Sequence, residues 1–308
     1  MVSLGRQPMD ARVRRRHPLS WRAAGTFRRR KPGNEFAKCP GDGMIALLLL
    51  AAIPCVMWLI QTALLTLQGH PVRWRLDSRA APTIVRTGGR IATQLSLLGV
   101  VMVYPLTRGR GALEYYASLL PRDRTALQFA QGFAVSTLFL CLLFAAWLAT
   151  GRLQVDVHHS RKKWIRRLVL LIPTTVFGAV VEEVLFRGVV LADLLEAERL
   201  PHGAAIAIGA MVFAVAHYVR TVKRRWTFPG HVVLGVLLCV AFAETGALWL
   251  PMGLHAGGIF MIMGFRPFVR YRGPAWVTGA SIFPFAGVIG LLGLAVLTGF
   301  VVRQYGVP

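Results

Sequence analysis

Long apolar runs constrain this chain more than any other feature of its sequence. A helix needs about 20 residues to cross a hydrocarbon core of roughly 30 Å, and the sequence contains about eight apolar runs near that length. The chain is 55% hydrophobic over 308 residues, with a mean hydropathy of +0.54. We therefore predict an all-α, polytopic membrane bundle. Its expected spans are 44–68, 89–106, 127–150, 165–195, 203–219, 230–245, 247–264 and 280–302.

Basic residues surround these runs and give the chain a formal net charge of +23. Segment 1–43 is rich in arginine and poor in large apolar residues, so we expect a disordered tail before a membrane-embedded domain at 44–308. Arginines beside membrane spans are typical of anchors for anionic headgroups, and no basic fold with interleaved aromatic residues accompanies them. We predict a bilayer with anionic lipids as a partner and no nucleic acid.

The distribution of charge assigns no orientation in the membrane. With eight spans both termini lie on one side, and the positive-inside rule applied to the basic loops 69–88, 151–164, 220–229 and 265–279 places that side outside. The basic tail places it inside. Translation from Met44 would remove the conflict, as would one miscounted span. The run at 44–68 is too long for a signal peptide and lacks a cleavage pattern, so we expect a retained span.

The segment VVEEVLFRGVV, residues 180–190, places three charges within the fourth predicted span. An ionised side chain at mid-bilayer costs about 2.5–3.5 kcal/mol on insertion scales, so these charges must face protein or water. Glu183 and Arg187 are four residues apart and can pair on one helix face. Glu182 lies about 100° round the helix and lacks that partner. The surplus carboxylate needs a proton, a cation or another partner, unless the charges only form a packing network.

Two histidines occur on the apolar segments that follow. His217 lies in MVFAVAHYV, one turn after Phe213, and His255 lies within LPMGLHAGGIF, just before Gly257 and Gly258. Those glycines are expected to allow close helix contacts. Either histidine alone is typical of a packing or interfacial residue. Three neighbouring segments that each contribute ionisable groups favour a common site.

Glutamate and histidine together support two kinds of hydrolytic chemistry. A glutamate can take a proton from water while a histidine holds that water or donates to a developing oxyanion. Alternatively, Glu182, His217 and His255 form a common zinc ligand set, with Glu183 left as the base. The sequence does not choose between a metal-free and a zinc-dependent site.

The ordered motifs Glu182-Glu183-x-x-x-Arg187, Phe213-x-x-x-His217 and His255 resemble the CAAX-processing and bacteriocin-immunity (CPBP, or Abi) family of intramembrane proteases, in particular type II CAAX prenyl endopeptidases. The resemblance covers the motif core at 165–264. It implies an all-helical endopeptidase that cuts membrane-tethered, isoprenylated proteins at a cavity within the bilayer. The substrate partner would be a membrane-tethered protein or peptide, and the location a bacterial plasma membrane.

The resemblance also implies roles for the five candidate residues. Glu182 would activate water together with His217, Glu183 and Arg187 would support the site, and His255 would help to stabilise the oxyanion. The family's last motif continues to an asparagine four residues after the histidine, whereas this chain has Ile259 there. An isoleucine side chain donates no hydrogen bond, so the oxyanion would need another donor.

Two alternatives without proteolysis fit parts of the pattern. Ile259 is compatible with a non-catalytic immunity or membrane binding protein that keeps the same fold. An ion or proton transporter would also use buried Glu and His, but it predicts an internal repeat, and the motif at 182–187 has no counterpart in the first three spans. The other ionisable groups, His231, Asp193, Glu196 and Glu244, are predicted to be interfacial, and Tyr115-Tyr116 to be aromatic-belt anchors.

Overall fold

The structure is a computed structural model. It describes residues 45–72, 82–123, 125–156, 161–197, 200–219, 227–279 and 283–306. The predicted tail at 1–43 lies outside this part of the chain. The described residues from 45 onward belong to one compact unit, Gly41–Pro308.

Helices make up 84% of the described chain, as predicted. Their order along the sequence is α1 (Ile45–Leu67), α2 (Thr83–Thr107), α3 (Ala112–Leu119), α4 (Thr125–Ala149), α5 (Arg161–Glu183), a π-helical segment (Val184–Leu191), α6 (Ala192–Glu196), α7 (His202–Val219), α8 (Phe228–Thr245), α9 (Trp249–Phe265), α10 (Ala275–Thr278) and α11 (Val288–Tyr305). Short 3-10 turns at Arg266–Phe268 and Pro284–Ala286 complete the helical elements.

Seven of the eight predicted spans each correspond to one of these helices, and the fourth corresponds to α5, the π-helical segment and α6 together. Within the described residues, six are long and apolar enough to cross a membrane: Ile45–Leu67, Thr83–Thr107, Ala126–Ala149, Trp164–Glu196, Phe228–Thr245 and Val288–Tyr305. The apolar part of α7 and the 17 residues of α9 are shorter. The last span was predicted at 280–302 and its helix begins at Val288, after the turn at Pro284–Ala286.

The bundle turns apolar side chains outward as well as inward. Leu95, Leu142, Leu170 and Val296 are each at least 60% exposed on different helices. Exposed apolar surface on this scale is a liability in water and is the normal outer surface of a protein in lipid. The inner core gathers around the π-helical segment, where Val189–Leu191 are fully buried.

Glycines bring α4 and α9 together, and these two helices form the most extensive helix pair among the described elements. A Cβ atom added to Gly132 would lie 2.6 Å from the Leu250 carbonyl oxygen, and one added to Gly257 would lie 2.5 Å from the Phe133 carbonyl oxygen. The backbones approach so closely that a larger residue would clash. This confirms the packing role predicted for Gly257, whereas an added Cβ at Gly258 would meet no atom within 4 Å.

The fourth predicted span is a single helical path made of three parts. Helix α5 contains Pro173 and ends at Glu183, and the π-helical segment at Val184–Leu191 and α6 continue it. The wider turn of a π-helix shifts the direction of side chains relative to an α-helix, and such segments are frequent at functional sites. The sequence pattern predicted helix here but not the change of helix type.

A short β-ribbon joins the ends of two of the helices. Strand β1 (Leu153–Val155) follows α4 and pairs antiparallel with β2 (Val269–Tyr271), which follows α9. Leu153 faces Tyr271 and Val155 faces Val269 in this register. Both strands lie in segments predicted as loops. The ribbon therefore reinforces the α4–α9 pair at one end.

Candidate active site

The ion pair predicted within the charged helix is present. Glu183 is the last residue of α5, and Arg187 lies four residues later in the π-helical segment. Arg187 Nη1 donates to Glu183 Oε1 at 3.0 Å, and both side chains are fully buried. The Arg187 guanidinium also lies 4.5 Å from the centre of the Phe213 ring, and its Nη2 donates to the Gly235 carbonyl oxygen at 3.4 Å. Arg187 thus ties this helix to α7 and α8.

His255 joins the same carboxylate from α9. Its Nδ1 lies 2.7 Å from Glu183 Oε1, and the side chain is 7% exposed. Glu183 is thus shared by an arginine on its own helix and a histidine on a neighbouring one. Charge-assisted hydrogen bonds of this kind are short and strong, and they make the burial of a carboxylate tolerable.

Glu182 differs from its neighbour because its carboxylate reaches the wall of a cavity. Its Oε2 lies 3.3 Å from His217 Nε2 and 3.7 Å from His255 Nε2, and the side chain is 36% exposed. That oxygen is itself buried and makes no hydrogen bond of good geometry within the described residues. The predicted surplus carboxylate therefore faces the two predicted histidines without being saturated by them.

The hydrogen bonds of the two rings define which nitrogen faces Glu182. His217 Nδ1 lies 2.8 Å from the Phe213 carbonyl oxygen, and a carbonyl only accepts, so Nδ1 carries the hydrogen. His255 Nδ1 likewise faces a carboxylate oxygen of Glu183. In the neutral tautomer each ring then presents the lone pair of Nε2 to Glu182. A water molecule in the cavity beside these atoms could donate one hydrogen to Glu182 and the other to an imidazole.

The cavity beside Glu182 has a volume of about 250 Å³. Apolar side chains form most of its described wall, among them Phe139, Leu140, Phe213, Leu234, Leu237, Leu254, Ile259, Ile262, Met263, Leu294 and Leu297. The polar side chains on that wall are Ser136, Glu182, His217, His231 and His255. A few converging polar groups in an apolar cavity are typical of a binding or catalytic site.

His231 is the site residue that sequence reasoning missed. It was predicted to be interfacial because it lies near the start of α8. The structure instead leaves it only 5% exposed on the cavity wall, with its ring stacked on that of His217 at a centroid distance of 5.1 Å. A polar residue in an apolar helix was the available signal, but its contact with α7 required the fold.

Two further predictions of interfacial positions are wrong. Asp193 is fully buried, where it accepts hydrogen bonds from the Tyr104 hydroxyl and the Ala46 backbone N–H, each at 3.0 Å. Tyr115 is 4% exposed, and its hydroxyl donates to the Gly188 carbonyl oxygen at 2.6 Å. Burial raises the pKa of Tyr115 above its usual range, which keeps the hydroxyl a donor.

The donor atoms at the cavity have the chemistry of a zinc site but not its arrangement. Two imidazole Nε2 atoms and one carboxylate are suitable ligands. However, the described residues contain no group of three or more His, Cys, Asp or Glu side chains positioned to hold a metal ion. Glu183, the base of the zinc alternative, is fully buried and bonded to Arg187.

Fold and site together define an integral membrane protein with a glutamate–histidine centre on the wall of an apolar cavity. Residues 164–261 match the family described as Rce1-like, type II CAAX prenyl endopeptidase. The match covers α5 to most of α9 and contains all five candidate residues, so the predicted resemblance is confirmed over this segment. The matched family is described as one of prenyl endopeptidases, and the segment is similar to it. No curated protein and no solved structure matches the chain.

Proposed function

We propose that this protein is an intramembrane endopeptidase in which Glu182 and His217 activate a water molecule against a peptide bond of a membrane-tethered substrate. The observation that carries the proposal is the position of Glu182 Oε2, 3.3 Å and 3.7 Å from two imidazole nitrogens at the cavity wall. The match to prenyl endopeptidases over 164–261 supports the same reaction. We also propose a bacterial plasma membrane as its location.

The residues divide the reaction between them. His217, whose Nδ1–H is held by the Phe213 carbonyl, accepts a hydrogen bond from water at Nε2 and orients it. Glu182 takes the other proton as the water oxygen bonds to the carbonyl carbon. When the C–N bond breaks, that proton passes to the leaving amine. Glu183 and Arg187 hold His255, which in its doubly protonated form donates from Nε2 to the oxyanion.

The apolar cavity wall favours a substrate with a hydrocarbon group. A prenyl chain, as in CAAX-type proteins, can bury itself against leucine, isoleucine and phenylalanine side chains while the peptide bond lies at Glu182. The water that reacts lies beside the few polar side chains of an otherwise apolar cavity. This arrangement keeps the carboxylate poorly solvated, and electrostatic contacts are stronger in such surroundings.

The experiment uses the purified full chain in liposomes with a fluorogenic farnesylated CAAX-type peptide. We expect the wild type to cleave it and both Glu182→Ala and His217→Ala to abolish cleavage, because each removes one contact to the water. His202→Ala, an exposed histidine at the start of α7, and Glu114→Ala, an exposed glutamate in α3, are the matched controls. Cleavage that survives in Glu182→Ala would overturn the assignment.

A zinc-dependent form of the reaction, with Glu182, His217 and His255 as ligands, is the mechanistic alternative. Metal content measured by mass spectrometry on the purified protein separates the two forms. The proposal expects less than one zinc per chain and cleavage that resists a strong chelator. Stoichiometric zinc that is lost in His255→Ala together with activity would replace it.

A non-catalytic immunity or binding protein is the second candidate function, and Ile259 is the observation that favours it. This side chain lies on the cavity wall where the family's asparagine would donate a hydrogen bond. Under this candidate the wild type cleaves no component of a membrane proteome, and a crosslinker placed in the cavity captures one specific partner. Terminal-peptide profiling of membranes from wild-type and Glu182→Ala cells distinguishes the two functions.

A further inference from the structure

We propose that His231 is a positioning residue for His217, and that stacking of the two rings keeps His217 Nε2 directed at Glu182. The effect on catalysis rests on the proposed function, whereas the orientation of the His217 ring rests on the geometry alone. The rings lie 5.1 Å apart with an interplanar angle of 26°, one on α7 and one on α8. Both line the cavity that contains Glu182.

Each histidine is fixed to its own helix in the same way. The Nδ1–H of His231 donates to the Thr227 carbonyl oxygen at 2.8 Å, and that of His217 donates to the Phe213 carbonyl oxygen at the same distance. A hydrogen bond at Nδ1 fixes one ring atom but leaves rotation of the ring about that contact. A second contact on the ring face removes this freedom, and the stack supplies it.

His217 needs such a restraint because of its place in the fold. It is 25% exposed and lies near the end of α7, where helices fray most readily. The Phe213 ring packs beside it at 4.3 Å, tilted by 47°. His231 supplies the nearly parallel ring. The direction of Nε2 therefore depends on a neighbour from another helix.

His231 is itself held firmly enough to act as a support. The Phe283 ring meets it edge to face at 4.7 Å, and the Phe285 ring does so at 5.9 Å. A Cβ added to the preceding Gly230 would lie 2.9 Å from Ala286, so the start of α8 packs closely on the turn that carries these phenylalanines. The contacts form a continuous series from Phe283 through His231 to His217 and Glu182.

The test compares His231→Phe, which keeps an aromatic face, with His231→Leu, which does not. For the farnesylated peptide in liposomes, His231→Leu should lower kcat by up to about tenfold, the size expected for one aromatic pair, with KM unchanged within twofold. His231→Phe should restore kcat to within twofold of wild type. His202→Leu, at the exposed start of α7, is the control that should leave both constants unchanged. His231→Met replaces the leucine variant if that variant does not fold.

A second measurement separates this proposal from the proposed function. In protein labelled with 13C- and 15N-histidine, the His217 ring signals, assigned with His217→Gln, should lose their ring-current shift in His231→Leu and keep it in His231→Phe. Unchanged His217 signals in His231→Leu would overturn the stack. Changed signals with wild-type kcat would overturn the positioning role. If the wild type cleaves nothing, the proposed function fails, while the spectra still decide whether His231 orients His217.

Discussion

Two carboxylates on the same helical path have opposite surroundings. Asp193, in α6, accepts hydrogen bonds from the Tyr104 hydroxyl and the Ala46 backbone N–H and pairs with Arg108. Glu182, near the end of α5, lies on a cavity wall with an Oε2 atom that makes no well-formed hydrogen bond in the described structure. The first carboxylate is saturated and closed from the cavity. The second has one oxygen without a hydrogen bond, and its side chain is 36% exposed.

A carboxylate inside the bundle can hold elements together or take part in a reaction, and this difference separates the two roles. A saturated ion pair joins elements, and Asp193 joins the beginning of α1 and the end of α2 to the helix that carries the motif. A carboxylate that is to accept a proton during a reaction must keep an oxygen available for it. Asp193 has a hydrogen-bond partner at both oxygens, whereas Glu182 Oε2 has none in the described structure.

The largest effect is expected from Glu182→Gln. The amide keeps the size of the side chain but cannot accept a proton as a base, so kcat should fall by about 10³. Since Glu182 makes few stabilising contacts, the midpoint of thermal unfolding should stay within about 2 °C of wild type. Kinetics with the farnesylated peptide and differential scanning fluorimetry measure the two quantities. A large loss of thermal stability would mean that Glu182 is structural, like Asp193.

Asp193→Asn is expected to lower stability and to leave the reaction unchanged. The variant keeps an acceptor for Tyr104 and Ala46 but loses the ion pair with Arg108, which is 17% exposed. Breaking a buried pair costs about 3–5 kcal/mol, and we expect about 2–3 kcal/mol because Arg108 is partly solvated. The midpoint should fall by about 5–10 °C, while kcat per folded molecule is unchanged.

Glu196→Gln is the matched control for this prediction. Glu196 faces the same arginine at 3.4 Å but is 59% exposed, so its loss should cost less than about 1 kcal/mol. If both variants lower the midpoint equally, burial of Asp193 contributes nothing beyond a surface pair. Asp193 would then be no more important for stability than a surface carboxylate.

Sequence patterns predicted the parts of this site that depend on local spacing. The i,i+4 pair of Glu183 and Arg187 and the surplus of Glu182 followed from helix geometry and insertion energies. The partners of Asp193 lie 147, 89 and 85 residues away in sequence, and no local pattern connects them. The same holds for His231, whose contact with His217 crosses two helices. The π-helical segment also has no periodicity of its own to distinguish it from the α-helix around it.

The smallest effect is expected from Ile259→Asn, which adds a hydrogen-bond donor to the wall of the cavity beside Glu182. Ile259 lies one turn after His255 on the cavity wall, so an amide there faces the same space as the His255 ring. Oxyanion donors contribute 10²–10³ in kcat where they are perfectly placed. For an introduced amide we expect a rise on the order of tenfold, with KM nearly unchanged. Ile262→Asn, one turn further along the same wall, is the matched control. An equal rise in both variants, or none in Ile259→Asn, would show that position 259 does not limit the reaction and that another group already stabilises the oxyanion.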